Sequence, residues 1–240
     1  MQLQELVKDM YYKGNPDNCE ITAVTYDSRK VKAGTLFVAI AGFKMDGHDY
    51  ITQAIENGAA AILSNGRSPK MKTVPILRVK NPRLVMSHIS AQFYGNPSQA
   101  MNVVGVTGTN GKTSITHILY HILQDAGYSC GTMGSLGFQT PTGMMSTGFT
   151  TPESVEVQQM LQTLKMAGVN YVVMEISSHA LDMHRVKDVD VDIAVFSNLT
   201  PEHLDFHRDM ERYFQSKLKL FKGLAPSKTA VINLDDPYSD

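Results

Sequence analysis

Short apolar runs at 35–40, 59–63 and 75–79 alternate with two stretches of helical spacing, 50–57 and 84–93. Unbroken apolar runs bounded by turn-formers predict strands, and apolar residues three and four apart predict helices. The first part of the chain therefore reads as a small α/β unit. Gly95-Asn96-Pro97-Ser98 then gathers four turn-formers between a helical pattern and a new strand, the composition of a short link between domains. The boundary is set there, giving domains at 1–95 and 96–240.

Beyond the link, strand and helix repeat. A strand at 102–106 leads through a glycine-rich loop into a helix carrying Ile115, Ile118, Leu119, Ile122 and Leu123, which stops near Gly127. A second helix is expected to take Thr151 as its N-cap and Pro152 as its first residue, and to stop at Gly168. Tyr171-Val172-Val173-Met174 and Ile193-Ala194-Val195-Phe196 show no polar alternation, so both read as strands buried on two faces. A helix at about 209–222 leads into the apolar strand Ala230-Val231-Ile232. The predicted fold class is α/β: a small N-terminal α/β domain, then a mostly parallel sheet covered by helices.

Composition adds exclusions. With 42% hydrophobic and 19% charged residues in 240, the chain can bury a real core and is no disordered tail. Its 22 basic and 23 acidic residues leave −1, so no overall charge draws it to nucleic acid or an anionic membrane. Cys19 and Cys130 are too few and too far apart for a disulfide framework or a paired-cysteine metal site, and the expected compartment is a reducing cytoplasm. Glu5, Lys8 and Asp9 interrupt any signal-peptide core, and the longest apolar stretches fall far short of a membrane span. A soluble, unexported protein is expected.

The strongest chemical signal is Gly105-Val106-Thr107-Gly108-Thr109-Asn110-Gly111-Lys112-Thr113, set between a strand and a helix. Such a loop wraps phosphates with backbone N–H groups at a helix N-terminus, its lysine reaching the β- and γ-phosphates and its threonine hydroxyl facing Mg²⁺. The strict P-loop pattern is missed by one position, because Val106 stands where its first glycine belongs. Binding of a nucleoside triphosphate is the expectation.

Four of the eight histidines fall within 29 residues: His179 and His184 follow the strand ending in Glu175, and His203 and His207 the strand ending near Asn198. Ligands of open parallel sheets sit at the C-terminal strand edge, so both loops should face the phosphate site. Glu175 is placed there as an acidic Mg²⁺ ligand. A zinc site is the rival reading, since His203 and His207 are four apart. Against it, Pro201 disfavours a helix reaching back, and no Glu follows the first His.

Taken together, these motifs resemble a known family. The loop at 105–113, Thr150-Thr151-Pro152, Glu175-Ile176-Ser177-Ser178-His179-Ala180-Leu181, His184-Arg185-Val186, Asn198-Leu199-Thr200, His203-Leu204-Asp205-Phe206-His207 and Asn233-Leu234-Asp235-Asp236 occur in the order seen in Mur ligases. The resemblance spans essentially the whole chain, including Asp27-Ser28-Arg29 and 37–50. It is strongest to the branch that adds the third residue of the peptidoglycan stem peptide.

That resemblance implies roles, position by position. Ser28 and the loop at Gly42 and Phe43 would hold the uridine and sugar end of UDP-MurNAc-L-Ala-D-Glu, and Thr150, Thr151, Ser177 and Arg185 its sugar-peptide part. ATP would lie on Thr107, Gly108, Thr109, Asn110, Gly111, Lys112 and Thr113. Thr113 and Glu175 would ligate one Mg²⁺ and His203 a second, while Lys217 corresponds to the family's carbamylated lysine. Lys112, Glu175, His203 and Lys217 are thus the implied catalytic set of an ATP-dependent ligase, with a diamino acid as the second substrate, either meso-diaminopimelate, the commoner in this family, or L-lysine.

Departures accompany the match. Glu202 precedes His203 where the family usually has Asp, and Met183 stands where many relatives carry Gln. The chain ends at Asp240, inside what the resemblance makes the central domain, so the family's C-terminal domain with its amino-acid pocket is expected to be absent and turnover by this chain alone is not expected. Two readings from other classes start from the same residues: an unrelated P-loop NTPase or kinase, indifferent to UDP-sugars, and a truncated, non-catalytic UDP-sugar- and ATP-binding relative.

Overall fold

A computed structural model describes residues 1–16, 19–43, 45–66 and 73–239. The chain divides into two compact units, Met1–Phe93 and Tyr94–Asp240. Lys44, inside the 37–50 segment, lies outside the described residues.

The first unit opens with a short helix, α1 (Leu3–Val7), and continues through β1 (Ala23–Thr25), β2 (Thr35–Val38), α2 (Ile51–Glu56), β3 (Ala59–Ser64), β4 (Ile76–Arg78) and α3 (Pro82–Phe93). Its four strands form a parallel sheet in the order β1-β2-β3-β4. Every residue of β2 is buried, as a strand covered on two faces requires. Phe37, Ala39 and Ile62 pack against Ile51 and Ala54 of α2, which is why the apolar positions of α2 recur at helical spacing.

The second unit runs β5 (Asn102–Thr107), α4 (Lys112–Asp125), β6 (Cys130–Gly134), β7 (Gly137–Thr140), β8 (Gly143–Met145), α5 (Ser154–Met166), β9 (Tyr171–Glu175), α6 (Ser178–Asp182), β10 (Ile193–Phe196), α7 (Leu204–His207), α8 (Met210–Lys222) and β11 (Thr229–Ile232). The sheet order is β11-β10-β5-β9-β6-β7-β8. Its first five strands are mutually parallel, whereas β7 runs antiparallel to β6 and β8 antiparallel to β7. One face is covered by a large core in which Val157, Leu161 and Leu164 of α5 meet Val103, Val172 and Met174 of the sheet. Among the described residues no helix is long and apolar enough to cross a membrane.

Two expectations fail in detail. The helix foreseen at Thr151-Pro152 begins at Ser154, with Glu153 as its N-cap residue. Thr151 is instead drawn into contacts from β9: its hydroxyl donates to the Glu175 carbonyl at 2.9 Å and accepts the Ser177 amide at 3.3 Å. β10, read as buried on both faces, has Ile193 and Val195 only partly covered. They lie on the α4 side, where Ile115, Leu119 and Leu123 are themselves half-buried.

Candidate active site

The strand order sets where chemistry can occur. β5, the middle one of the five parallel strands, is flanked by β9 and β10, so the loops leaving the three strands meet at one C-terminal edge. Gly108 takes φ +146, and a Cβ on it would stand 1.9 Å from Ser197 Oγ. Glycine is required by both conformation and space. That close approach lets the turn after β10 hold the loop: the Thr109 amide donates to the Asn198 carbonyl (2.8 Å), the Asn110 amide to Asn198 Oδ1 (2.9 Å), and Ser197 Oγ to the Asn110 carbonyl (2.7 Å). Thr109 Oγ1 is shared among the Thr200 backbone and the Tyr213 hydroxyl, 3.1 Å away. Gly111 is the N-cap of α4, whose first amides have no partner within the helix and point a partial positive charge at the loop.

Two lysines converge here. Lys112 Nζ donates to the carbonyls of Gly108 (3.0 Å) and Thr109 (2.8 Å), and Lys217 Nζ, from α8, to the same Gly108 carbonyl at 2.7 Å. Lys217 is 2% exposed and lies 4.5 Å above the Tyr213 ring. Burial first, and then the charge of Lys112, bring its amine down to about 7, with Glu202 opposing. Burial lowers Lys112 as well.

Opposite them, Glu175 ends β9 at 1% exposure. Its carboxylate accepts the Thr113 hydroxyl (2.9 Å), the Ser135 amide (2.8 Å) and the Ser135 hydroxyl (3.3 Å). Gly134 makes room for it, since a Cβ there would fall 2.1 Å from Glu175 Oε1. Through Ser135 Oγ the network reaches Thr150 Oγ1 at 2.9 Å. Ser177 caps α6 by accepting the Ala180 amide. Arg185 donates to the Thr151 carbonyl (3.0 Å) and pairs with Glu153 at 2.8 Å.

His179, His203 and His207 form a ring cluster that reaches Lys217 through Tyr213, whose ring lies 4.9 Å from His207 and 6.4 Å from His203. His179 lies 4.8 Å from His203 and 5.5 Å from His207, centroid to centroid, and stacks at 4.3 Å on Phe206. His203, at φ +57, is the N-cap residue of α7, with Glu202 3.8 Å away. The ring of buried His207 is committed to Ser178 Oγ (2.9 Å) and Asp182 (3.3 Å). Burial lowers the pKa of His179 and His207.

The sequence-predicted residues are thus brought together unevenly. Lys112 and Lys217 share one carbonyl, Thr113 touches Glu175, and Thr150, Thr151, Ser177 and Arg185 are linked to the end of β9. His203 touches His179, Glu202 and the edge of Tyr213, the ring that also lies under Lys217. Thr107 is fully buried, so it serves the loop through its carbonyl, which accepts from the Ser197 amide and hydroxyl. Ser135, Ser197 and Tyr213 escaped sequence reading, for they lack any charge or motif. Among the described residues, no three His, Cys, Asp or Glu side chains converge as a metal cage. Mg²⁺ needs none, since it commonly takes one or two protein oxygens and fills the rest with water and phosphate, and the Thr113–Glu175 pair fits that habit.

In the first unit, Ser28 begins a 3-10 turn capped by Asp27. Phe43 is 75% exposed on a short loop closed by hydrogen bonds from the Gly42 amide to the Met45 carbonyl and from the Gly47 amide to the Ile40 carbonyl, both 2.9 Å.

A strand, a glycine-bound loop with two lysines and an acid at the neighbouring strand end put the second unit in the class of α/β proteins that bind nucleotide phosphates on a P-loop. The family follows from comparison with known proteins. The Mur ligase middle domain matches residues 106–240, and the model described as Mur ligase family, catalytic domain matches 20–94. The chain belongs to the Mur ligase family. Curated relatives named UDP-N-acetylmuramoyl-L-alanyl-D-glutamate--2,6-diaminopimelate ligase are 44% identical over 241 residues in Caldanaerobacter subterraneus subsp. tengcongensis and 45% over 233 in Halalkalibacterium halodurans, covering 100% and 96% of this chain. The chain spans about half of each relative's length, 49% and 47%. A solved structure of a ligase of that name superposes with a TM-score of 0.83 at 29% identity, over all of this chain and 48% of its own. MurF ligase from Thermotoga maritima in complex with ADP superposes at 0.61 with 28% identity, over 90% of this chain and 46% of its own.

Proposed function

We propose that the chain carries the ATP site and the UDP-sugar-peptide site of a ligase that joins 2,6-diaminopimelate to UDP-MurNAc-L-Ala-D-Glu. The convergence of Lys112 and Lys217 on the Gly108 carbonyl, facing the Thr113–Glu175 pair, supports it most directly. The names of the curated relatives support the substrates. The pathway is then peptidoglycan synthesis, in the cytoplasm.

In this reading the γ-phosphoryl of ATP passes to the D-Glu side-chain carboxylate, giving an acyl phosphate and ADP. The diamino acid's amine attacks the acyl carbon, phosphate leaves, and the amine's proton goes to solvent or a neighbouring base. Lys112 turns from backbone carbonyls to the β- and γ-phosphates and offsets the charge spread over the transferred group, the main source of rate enhancement in phosphoryl transfer. Thr113 and Glu175 would hold one Mg²⁺ and His203 a second, supplying further neutralisation of phosphate charge. With its amine near 7, Lys217 has a large unprotonated fraction at neutral pH. Its nitrogen can add to CO₂ with loss of one proton, leaving a carbamate whose oxygens suit a hard cation. Thr150, Thr151, Ser177 and Arg185 would position the sugar-peptide, and Phe43 offers an exposed ring to the base.

The test is calorimetric titration of the chain with ADP. Affinity should fall about tenfold or more, equivalent to about 1.4 kcal/mol, when Mg²⁺ is chelated or in Glu175→Gln. Equal affinity in all three cases would contradict the site.

A further inference from the structure

Ser28 is held from two sides. Asp27 fixes the start of its turn by accepting the Arg29 amide at 3.0 Å and pairing with the Arg29 guanidinium. On α2, Gln53 and the C-cap residue Asn57 are four apart and face the same way. The Ser28 hydroxyl donates to Gln53 Oε1 at 3.0 Å, and Asn57 Nδ2 donates to the Ser28 carbonyl at 3.1 Å. A serine hydroxyl has one proton and two lone pairs. With the proton committed to Gln53, only lone pairs remain for a ligand.

We propose that Gln53 is a positioning residue that makes Ser28 an obligate hydrogen-bond acceptor, so that the ligand group meeting Ser28 is a donor, either the pyrimidine imide N–H or a ribose hydroxyl. A diphosphate oxygen carries no proton at neutral pH and would leave two acceptors facing each other, an unfavourable pairing. This rests on the reading that Ser28 contacts the UDP end of the substrate, and it adds which atoms can do so. Gln53 is exposed and Ser28 7% exposed, so replacing Gln53 removes an orienting contact and leaves the core intact.

The experiment is calorimetry of the 240-residue chain with UDP, 3-methyl-UDP, 2′-deoxy-UDP and 3′-deoxy-UDP at high salt, where an added charge is screened. Wild type is compared with Ser28→Ala, Gln53→Leu and Gln53→Glu. Ser28→Ala and Gln53→Leu should each weaken UDP about tenfold with unchanged melting temperature. Gln53→Glu, which keeps the acceptor, should stay within about twofold of wild type, a rescue that a merely structural role for Gln53 would not give. The Ser28→Ala penalty should vanish for the one analogue that lacks the donor, telling the imide from the two hydroxyls. Wild-type affinity in Gln53→Leu, loss in Gln53→Glu, or a Ser28→Ala penalty equal across all analogues would overturn the proposal. Absence of UDP binding by wild type, or no effect of Ser28→Ala, would instead sink the assignment of Ser28 on which it stands.

Discussion

Lys217 keeps an amine in a place that disfavours its charge. An unfolded lysine holds its proton to about 10.5, whereas the folded one releases it at about 7. Between those values the unfolded chain binds a proton that the folded chain does not, so this group makes stability rise with pH across the window and level off below it. Lys217→Met removes the group. Its stability relative to wild type should therefore be most favourable at pH 7 and decline as pH approaches 10, read as the difference between urea midpoints at the two values. A difference that does not change with pH would show that the amine is not depressed. The charged and motif-borne residues of the site were legible in sequence because chemistry restricts residue type at a phosphate. Ser135 and Tyr213 were not, since a serine after a glycine and a tyrosine on a helix are common everywhere. Only the fold brings Ser135 to Glu175 and Tyr213 to Thr109.

At the scale of elements, the loop after β5 depends on its fit against the turn after β10. Gly108→Ala puts a methyl onto Ser197 Oγ at a backbone angle that favours glycine. Ser197 must then leave the Asn110 carbonyl. Strain and overpacking together should cost about 2 to 4 kcal/mol, with loss of ADP binding; a variant with wild-type melting and titration curves would refute this fit. The central strand–loop–helix order was readable because periodicity and the Gly-Lys-Thr run are local signals. The start of α5 was not, because the partners of Thr151 lie on β9 and at Arg185, distant in sequence. The β7–β8 hairpin left no alternation to read, as all of β8 is exposed. Helices α6 and α7, five and four residues long, are too short to show a helical period.

At the scale of the molecule, each of the two units carries a sheet of its own; on the proposed reading the first holds Ser28 and the loop at Phe43 for the UDP end, and the second holds the ATP loop. β11 pairs only with β10 among the described residues and all four of its residues are exposed, so the second sheet presents an edge strand there. The turn-formers at 95–98 lie just past the division at Phe93–Tyr94 and belong to the second unit, where Pro97 and Ser98 are buried and the Ser98 hydroxyl accepts the Asp190 amide. The most direct measurement is calorimetric titration of the chain with UDP-MurNAc-L-Ala-D-Glu, for wild type and Ser28→Ala. Saturable binding by wild type, weakened about tenfold or more in Ser28→Ala, is the expected result. A chain that binds ADP with Mg²⁺ yet gives no heat with the UDP-sugar peptide would contradict the proposed ligase function.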